Sequence, residues 1–226
     1  MADLVPLLRA ALKTAAGTNP VTGLVAQALE EYAQEAHDRA TAKAAELTTR
    51  RIAELGYRID VQCVKTDQFF DLFKNLTVVT SRTQYEEKYR AAANILGNAL
   101  LKAGDADKLP FDELDHFTRC IENLSISAIR VLHRALERGV IQDRRHRDND
   151  LSQRNVRIEF GQLRADLGEP DADLLLGLVG ELNSFNLLHL KGIPGIGYGD
   201  GEQKYHNYPV ETTPLGHRFK KFILDP

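Results

Sequence analysis

Three stretches of this sequence set chemically capable side chains close together. "FDELDHF" places Asp112, Asp115 and His116 on neighbouring positions of one helix face, where carboxylate and imidazole can hold a metal. No second ligand-bearing helix accompanies them, and acidic residues in a first helical turn are ordinary partners of the helix dipole. "HRDND" at 146–150 contains the His-Arg-Asp of a phosphotransfer loop. The asparagine that such a loop needs five residues beyond its aspartate is Gln153 here. "GIGYGDG" alternates Gly195, Gly197, Gly199 and Gly201 without the G-x-G-x-x-G register of a phosphate cradle, and it leads into a strand instead of a helix N-terminus. Nucleophile-elbow, zinc-protease and P-loop phrases are absent from the sequence. The expectation is a chain with no catalytic residue, no cofactor and no metal, hence not an enzyme.

One basic cluster remains. Arg144, Arg145 and Arg147 flank His146, and Arg154 and Arg157 follow. Asp143, Asp148 and Asp150 dilute the charge. Lys191, Tyr198 and Lys204 lie in and beside the glycine-rich stretch. Together these eight residues (Arg144, Arg145, Arg147, Arg154, Arg157, Lys191, Tyr198 and Lys204) are candidate contacts to phosphate or to an acidic partner. Contacts of that kind are electrostatic and largely indifferent to sequence.

The elements that must position these groups are helical through the first half. "LVPLLRAALKTAA" is amphipathic, with Leu4, Leu8, Ala11 and Leu12 on one side. "GTNP" stops it, and Pro20 opens a long helix reaching about Leu55, rich in good helix formers. Leu24, Ala28, Tyr32, Ala36 and Ala40 step by four along that helix, a stripe suited to close packing within the chain or in a homodimer. A further helix carries Phe69, Phe70, Leu72, Phe73 and Leu76, and another carries Tyr85, Tyr89, Ala92, Leu96 and Leu100. "FDELDHFTRCIENL" is the next helix, after the loop "DADKLP".

The second half alternates. A helix opens at Ser125 or Ser127 and stops at Gly139, and a polar loop follows it. "VRIEF" alternates apolar and charged residues and reads as a strand. "GQLRADLG" is a short helix, a turn with Gly168 and Pro170 comes next, and a helix runs to about Phe185. "NLLHLK" and "KYHNYPVET" are strands on either side of the glycine loop. Thr213 caps a closing helix with Pro214 in its first position and an apolar stripe of Leu215, Phe219, Phe222 and Ile223. Phe219 and Phe222 are expected to pack on the helix at 125–138.

Composition restricts the class further. The 226 residues carry a net charge of −3, which gives no global attraction to nucleic acid or anionic lipid. Cys63 and Cys120 form no framework and suit a reducing, cytoplasmic setting. No apolar run approaches the ~20 residues of a membrane span.

From 125 to 224 the order of elements, with "LRADLGEPDADLLLGLVGEL" and "TTPLGHRFKKFIL", resembles a winged helix, a helix-turn-helix with a β-hairpin wing. The resemblance implies a mainly α chain: a helical domain at 1–124, then a winged-helix-like domain at 125–226 with a small antiparallel β-hairpin. The whole layout, on "EEKYRAAANILGNALL" and "LDHFTRCIENLSISAIRVLHRAL", also resembles bacterial abortive-infection alpha proteins, which implies a part in phage defence.

A winged helix that reads DNA places its second motif helix in the major groove. Here that helix, 170–185, has no Lys or Arg; Asp171, Asp173 and Glu181 would repel phosphates, and only Asn183 could read a base. Residues 125–226 hold 14 basic and 14 acidic residues, so they lack the basic footprint of a DNA-binding domain. The expected function is therefore a non-enzymatic interaction or regulatory role with a protein partner, a second copy of the chain included. The alternative is a DNA-binding transcriptional regulator whose phosphate contacts come from the arginine loop and the wing.

Overall fold

The computed structural model of the chain describes residues 42–141, 156–190 and 208–225. Five helices come first: α1 (42–55), α2 (Asp67–Ser81), α3 (Glu86–Ala99), α4 (Phe111–Asn123) and α5 (Ile126–Arg138). Short hydroxyl side chains start two of them. Thr66 Oγ1 accepts the Phe69 N–H and Ser125 Oγ accepts the Ala128 N–H, each satisfying a donor that a first helical turn leaves open.

α3 is the most enclosed of the described helices in the N-terminal half, packed against α2, α4 and the C-terminal turn. Every residue from Ala91 to Ala99 is buried, so the apolar stripe expected from its sequence widens to the full circumference. Small side chains make this possible, because alanines and Gly97 let neighbouring helices approach closely. Tyr85, counted with that stripe in the sequence, instead sits at the N-cap and is 57% exposed. Buried polar groups on α3 are spent on backbone partners: Asn94 Nδ2 donates to the Ile223 carbonyl at 2.7 Å, and Asn98 Nδ2 to the Asp107 carbonyl at 2.8 Å.

After α5 come β1 (Val140–Ile141), β2 (Val156–Glu159), α6 (Phe160–Asp166), α7 (Ala172–Ser184), β3 (Leu188–Leu190) and β4 (Pro209–Thr212). The last helix is α8 (Pro214–Phe219), which continues as a π-helical turn over Lys220–Leu224. The chain is thus mainly α with a small antiparallel sheet. That sheet has four strands in the order β1-β2-β4-β3, one more element than the expected hairpin and its pairing strand. β1 is two residues long, too short for any alternation to announce it. Register places Ile158 opposite Val210, and Val210 opposite Leu190. Val156, Ile158, Leu188, Val210 and Thr212 form the buried face.

The junction from β4 into α8 fixes how the chain closes. Thr213 Oγ1 donates to the Asn186 carbonyl at 2.6 Å and accepts the Gly216 N–H at 2.9 Å, with Pro214 at the first helical position. Gly216 lies against the start of β3: a Cβ there would stand 2.2 Å from the Leu187 carbonyl oxygen. Seated this way, α8 delivers Phe219 to the core. Phe219 is fully buried, and its ring centroid is 5.1 Å from that of Phe117 on α4. It shares its buried cluster with Ala128, Ile129, Leu132 and Ala135 of α5, the helix expected to receive it. Phe222 was expected to be buried as well. Instead Phe222 is only partly buried, with Lys221 Nζ 4.4 Å from its ring centroid. One apolar cluster extends from Leu72 to Ile223 and includes residues on both sides of 124. Among the described residues no helix is long and apolar enough to cross a membrane.

Gly216→Ala should therefore destabilise the protein by ~1–3 kcal/mol, the usual range for forcing an atom into filled space. Gly177 on α7 faces open space, so Gly177→Ala should instead stabilise by up to ~1 kcal/mol through helix propensity. Chemical denaturation of the two variants measures both, and equal effects would refute the close approach at Gly216.

Candidate functional site

Of the eight residues proposed from sequence as phosphate or acidic-partner contacts, the described structure contains one. Arg144, Arg145, Arg147, Arg154, Lys191, Tyr198 and Lys204 lie outside the described residues, as do "HRDND" and "GIGYGDG". Arg157 is on β2, on the face of the sheet opposite the core. It stands directly across from Glu211 on β4, and Glu211 stands across from His189 on β3. A carboxylate in register with the arginine offsets its charge where a phosphate would have to approach.

α7 presents a face quite unlike a base reader. Leu175, Val179 and Leu182 point into the core. Asp171 Oδ1 accepts the Leu174 N–H at 3.0 Å and caps the helix. Outside lie Asp173, Gly177, Gly180 and Leu174, whose side chain is 57% exposed. No side chain fills the space over either glycine. Asn183, the one residue able to read a base, meets His189, Oδ1 to Nδ1, at 2.8 Å. Glu181 corrects the sequence reading, which had it facing phosphate: it turns inward, and its Oε2 accepts the Ser125 hydroxyl at 2.8 Å and the Ser125 N–H at 3.3 Å.

The residues weighed as metal ligands take separate partners. Asp115 pairs with Arg119 at 3.2 Å, and His116 Nε2 lies 3.2 Å from the Phe185 carbonyl. Among the described residues no group of three or more potential ligands converges. Cys63 is buried with its thiol 3.2 Å from the Ala99 carbonyl, and burial pushes the Cys120 thiol up to about 12, which leaves it inert.

Two features escaped the sequence. The first is an apolar groove between α1 and α2, walled by Ala44, Ala45, Thr48, Thr49, Phe73 and Thr77. Phe73 in that wall is 48% exposed, and Phe70, one turn earlier on α2, is 63% exposed. The helical spacing of these phenylalanines reads as core, and only their neighbours in space decide otherwise.

The second is a hollow of about 800 Å³ where the turn between α2 and α3 meets the end of α4. Val79, Thr83, Gln84 and Tyr85 form its wall, with Arg82, Lys88 and Glu122 beside them. Arg82 pairs with the Glu122 carboxylate at 2.9 Å, and Lys88 Nζ donates to the Glu122 carbonyl at 3.3 Å. Burial lowers the Lys88 ammonium below the usual lysine range, against the attraction of Glu181 and Glu122. Three separate segments contribute, so no local motif could have signalled it.

A further charge cluster lies elsewhere. The Arg58 Nε donates to Asp105 at 2.7 Å and its Nη2 to Asp107 at 2.7 Å, fixing the turn after α1 to the loop before α4. The guanidinium holds Asp105 down to about 2.

A comparison with protein-family models, curated proteins and solved structures finds no match for the chain.

Because Asp105 is depressed in the folded protein, its pairing stabilises above the unfolded carboxylate value of ~3.9 and is lost as pH falls toward 2. The stability difference between the wild type and Asp105→Asn should accordingly be constant above pH ~5 and shrink steadily below pH ~4. Denaturant midpoints measured across that range check this, and a difference that grows on acidification would contradict it.

Proposed function

We propose that this is a non-enzymatic interaction or regulatory protein whose C-terminal half is a winged-helix module that docks protein instead of reading DNA. The order α5, β2, α6, α7, β3, β4, α8, with β4 between β2 and β3, supports the winged-helix reading. The observation that carries the functional part is the outward face of α7. It offers an exposed leucine, two glycines and an aspartate, with no cation among them. Such a face admits close approach of another backbone and repels phosphate. The apolar groove and Phe70 on the helical half add a second surface of the kind that binds protein. The proposal extends to a part in bacterial phage defence, which rests only on the resemblance of "EEKYRAAANILGNALL" and "LDHFTRCIENLSISAIRVLHRAL" to abortive-infection alpha proteins.

Fluorescence anisotropy with labelled duplex DNA tests the reading. Binding at physiological salt should be absent, or weak and abolished by salt, falling by ~0.9 log units per log unit of salt for each phosphate contacted. Replacing Arg144, Arg145 and Arg147 together should remove whatever is seen. Sequence-selective, nanomolar binding that survives this triple change would make the protein a transcriptional regulator.

A further inference from the structure

The groove between α1 and α2 is floored by Tyr89, Ala92 and Leu96 of α3 and has a volume of about 530 Å³. None of the described residues lining it is charged. Hydroxyls along the α2 wall are spent within that helix. Thr77 Oγ1 donates to the Phe73 carbonyl at 2.9 Å, Thr80 Oγ1 to the Leu76 carbonyl at 3.0 Å and Ser81 Oγ to the Val78 carbonyl at 2.8 Å. On the floor, the Tyr89 hydroxyl donates to the Thr83 carbonyl. The groove therefore offers methyls and rings, which gain by burial against another apolar surface.

The chain itself supplies such a surface. Residues 1–41 precede α1 and lie outside the described residues, and the wall residue Ala44 is only the third residue of α1, so the chain arrives at one end of the groove. Residues 4–16 carry the apolar side of Leu4, Leu8, Ala11 and Leu12. Distance decides which copy supplies it. The sequence reads 20–55 as one helix, of which 42–55 are described. On that reading Pro20 stands ~33 Å before Ala42, and a segment the length of 4–16, turned back at "GTNP", returns only ~20 Å. It stops short of its own groove. A second copy laid antiparallel along the whole helix puts its Pro20 beside Leu55. Its residues 4–16, turned back in the same way, then run alongside 43–55, where the groove lies. Two-fold symmetry fills both grooves at once.

We propose that the chain is a homodimer in which each copy seats the apolar side of residues 4–16, through Leu4, Leu8 and Leu12, in the α1–α2 groove of the other. This names the occupant of a surface that the protein-docking reading counts second, and it rests on that part of the reading. The α7 face is independent of it.

Sedimentation equilibrium of the full chain at micromolar concentration tests the proposal and should give twice the 25.3 kDa of one chain. Leu8→Glu combined with Leu12→Glu should raise the dimer dissociation constant at least ~100-fold, the effect of withdrawing two leucines from an apolar seat. Ala45→Glu, at an exposed position of the groove wall, should weaken the dimer in the same direction while the chain keeps its helical circular-dichroism spectrum. When two chains of different mass are mixed, one with Leu8→Cys and the other with Thr48→Cys, mild oxidation should join position 8 of one chain to position 48 of the other. A monomer at that concentration would overturn the proposal. So would a dimer that survives the paired Leu8→Glu and Leu12→Glu change, or a chain carrying both cysteines that closes the bond only within itself. A monomer leaves the groove open to a different protein and the docking reading standing, whereas sequence-selective DNA binding removes that reading whatever the mass.

Discussion

The seat of Gly216 against the Leu187 carbonyl is the constraint on which the closed structure depends. A hydrogen in place of a Cβ lets α8 begin within contact of the backbone that enters β3. Thr213 then satisfies one α8 N–H and one loop carbonyl at once, so the turn off the sheet is both close and fully bonded. From there the direction of α8 is set. Phe219 reaches Phe117, and Ile223 reaches Asn94 on α3. α2, α4 and the π-helical turn pack around α3, whose alanines, asparagines and glycine make it thin enough to be surrounded.

This arrangement explains why the surfaces offered to partners look as they do. α7 gives Leu175, Val179 and Leu182 to the core and Glu181 to Ser125, so its remaining face is short on side chains. The sheet shows Arg157 in line with Glu211, which leaves little net charge there. On the helical half, α2 uses Leu72, Leu76 and Val79 for the core and leaves Phe73 in the groove wall and Phe70 exposed. Each surface is what remains once the core has taken the residues it needs.

Much of the local structure was legible in the sequence, because capping and turn chemistry act over three or four residues. Ser125, Thr213 and Pro214 mark helix starts where the structure has them, and "TTPLG" announced the closing helix. Long-range facts were not legible. Periodicity showed that Phe219 would be buried, but its ring contact with Phe117 on α4 depends on where the β4–α8 junction aims the helix. Glu181 carries the same charge whether it faces solvent or caps α5, and only its distance to Ser125 decides. The Lys88 hollow is assembled from the end of α2, the turn before α3 and the end of α4. No pattern within any one of those segments encodes it.

The central claim is that a single core, closed by α8 and its π-helical extension, unites the two halves of the chain. Native-state hydrogen exchange across a denaturant series tests it most directly. The account predicts that amides of α3, α4, β2 and β4 share one opening free energy and one denaturant dependence, that of global unfolding. Exchange of β2, β4 and α7 through a separate, lower-energy opening, with α3 and α4 still protected, would contradict it.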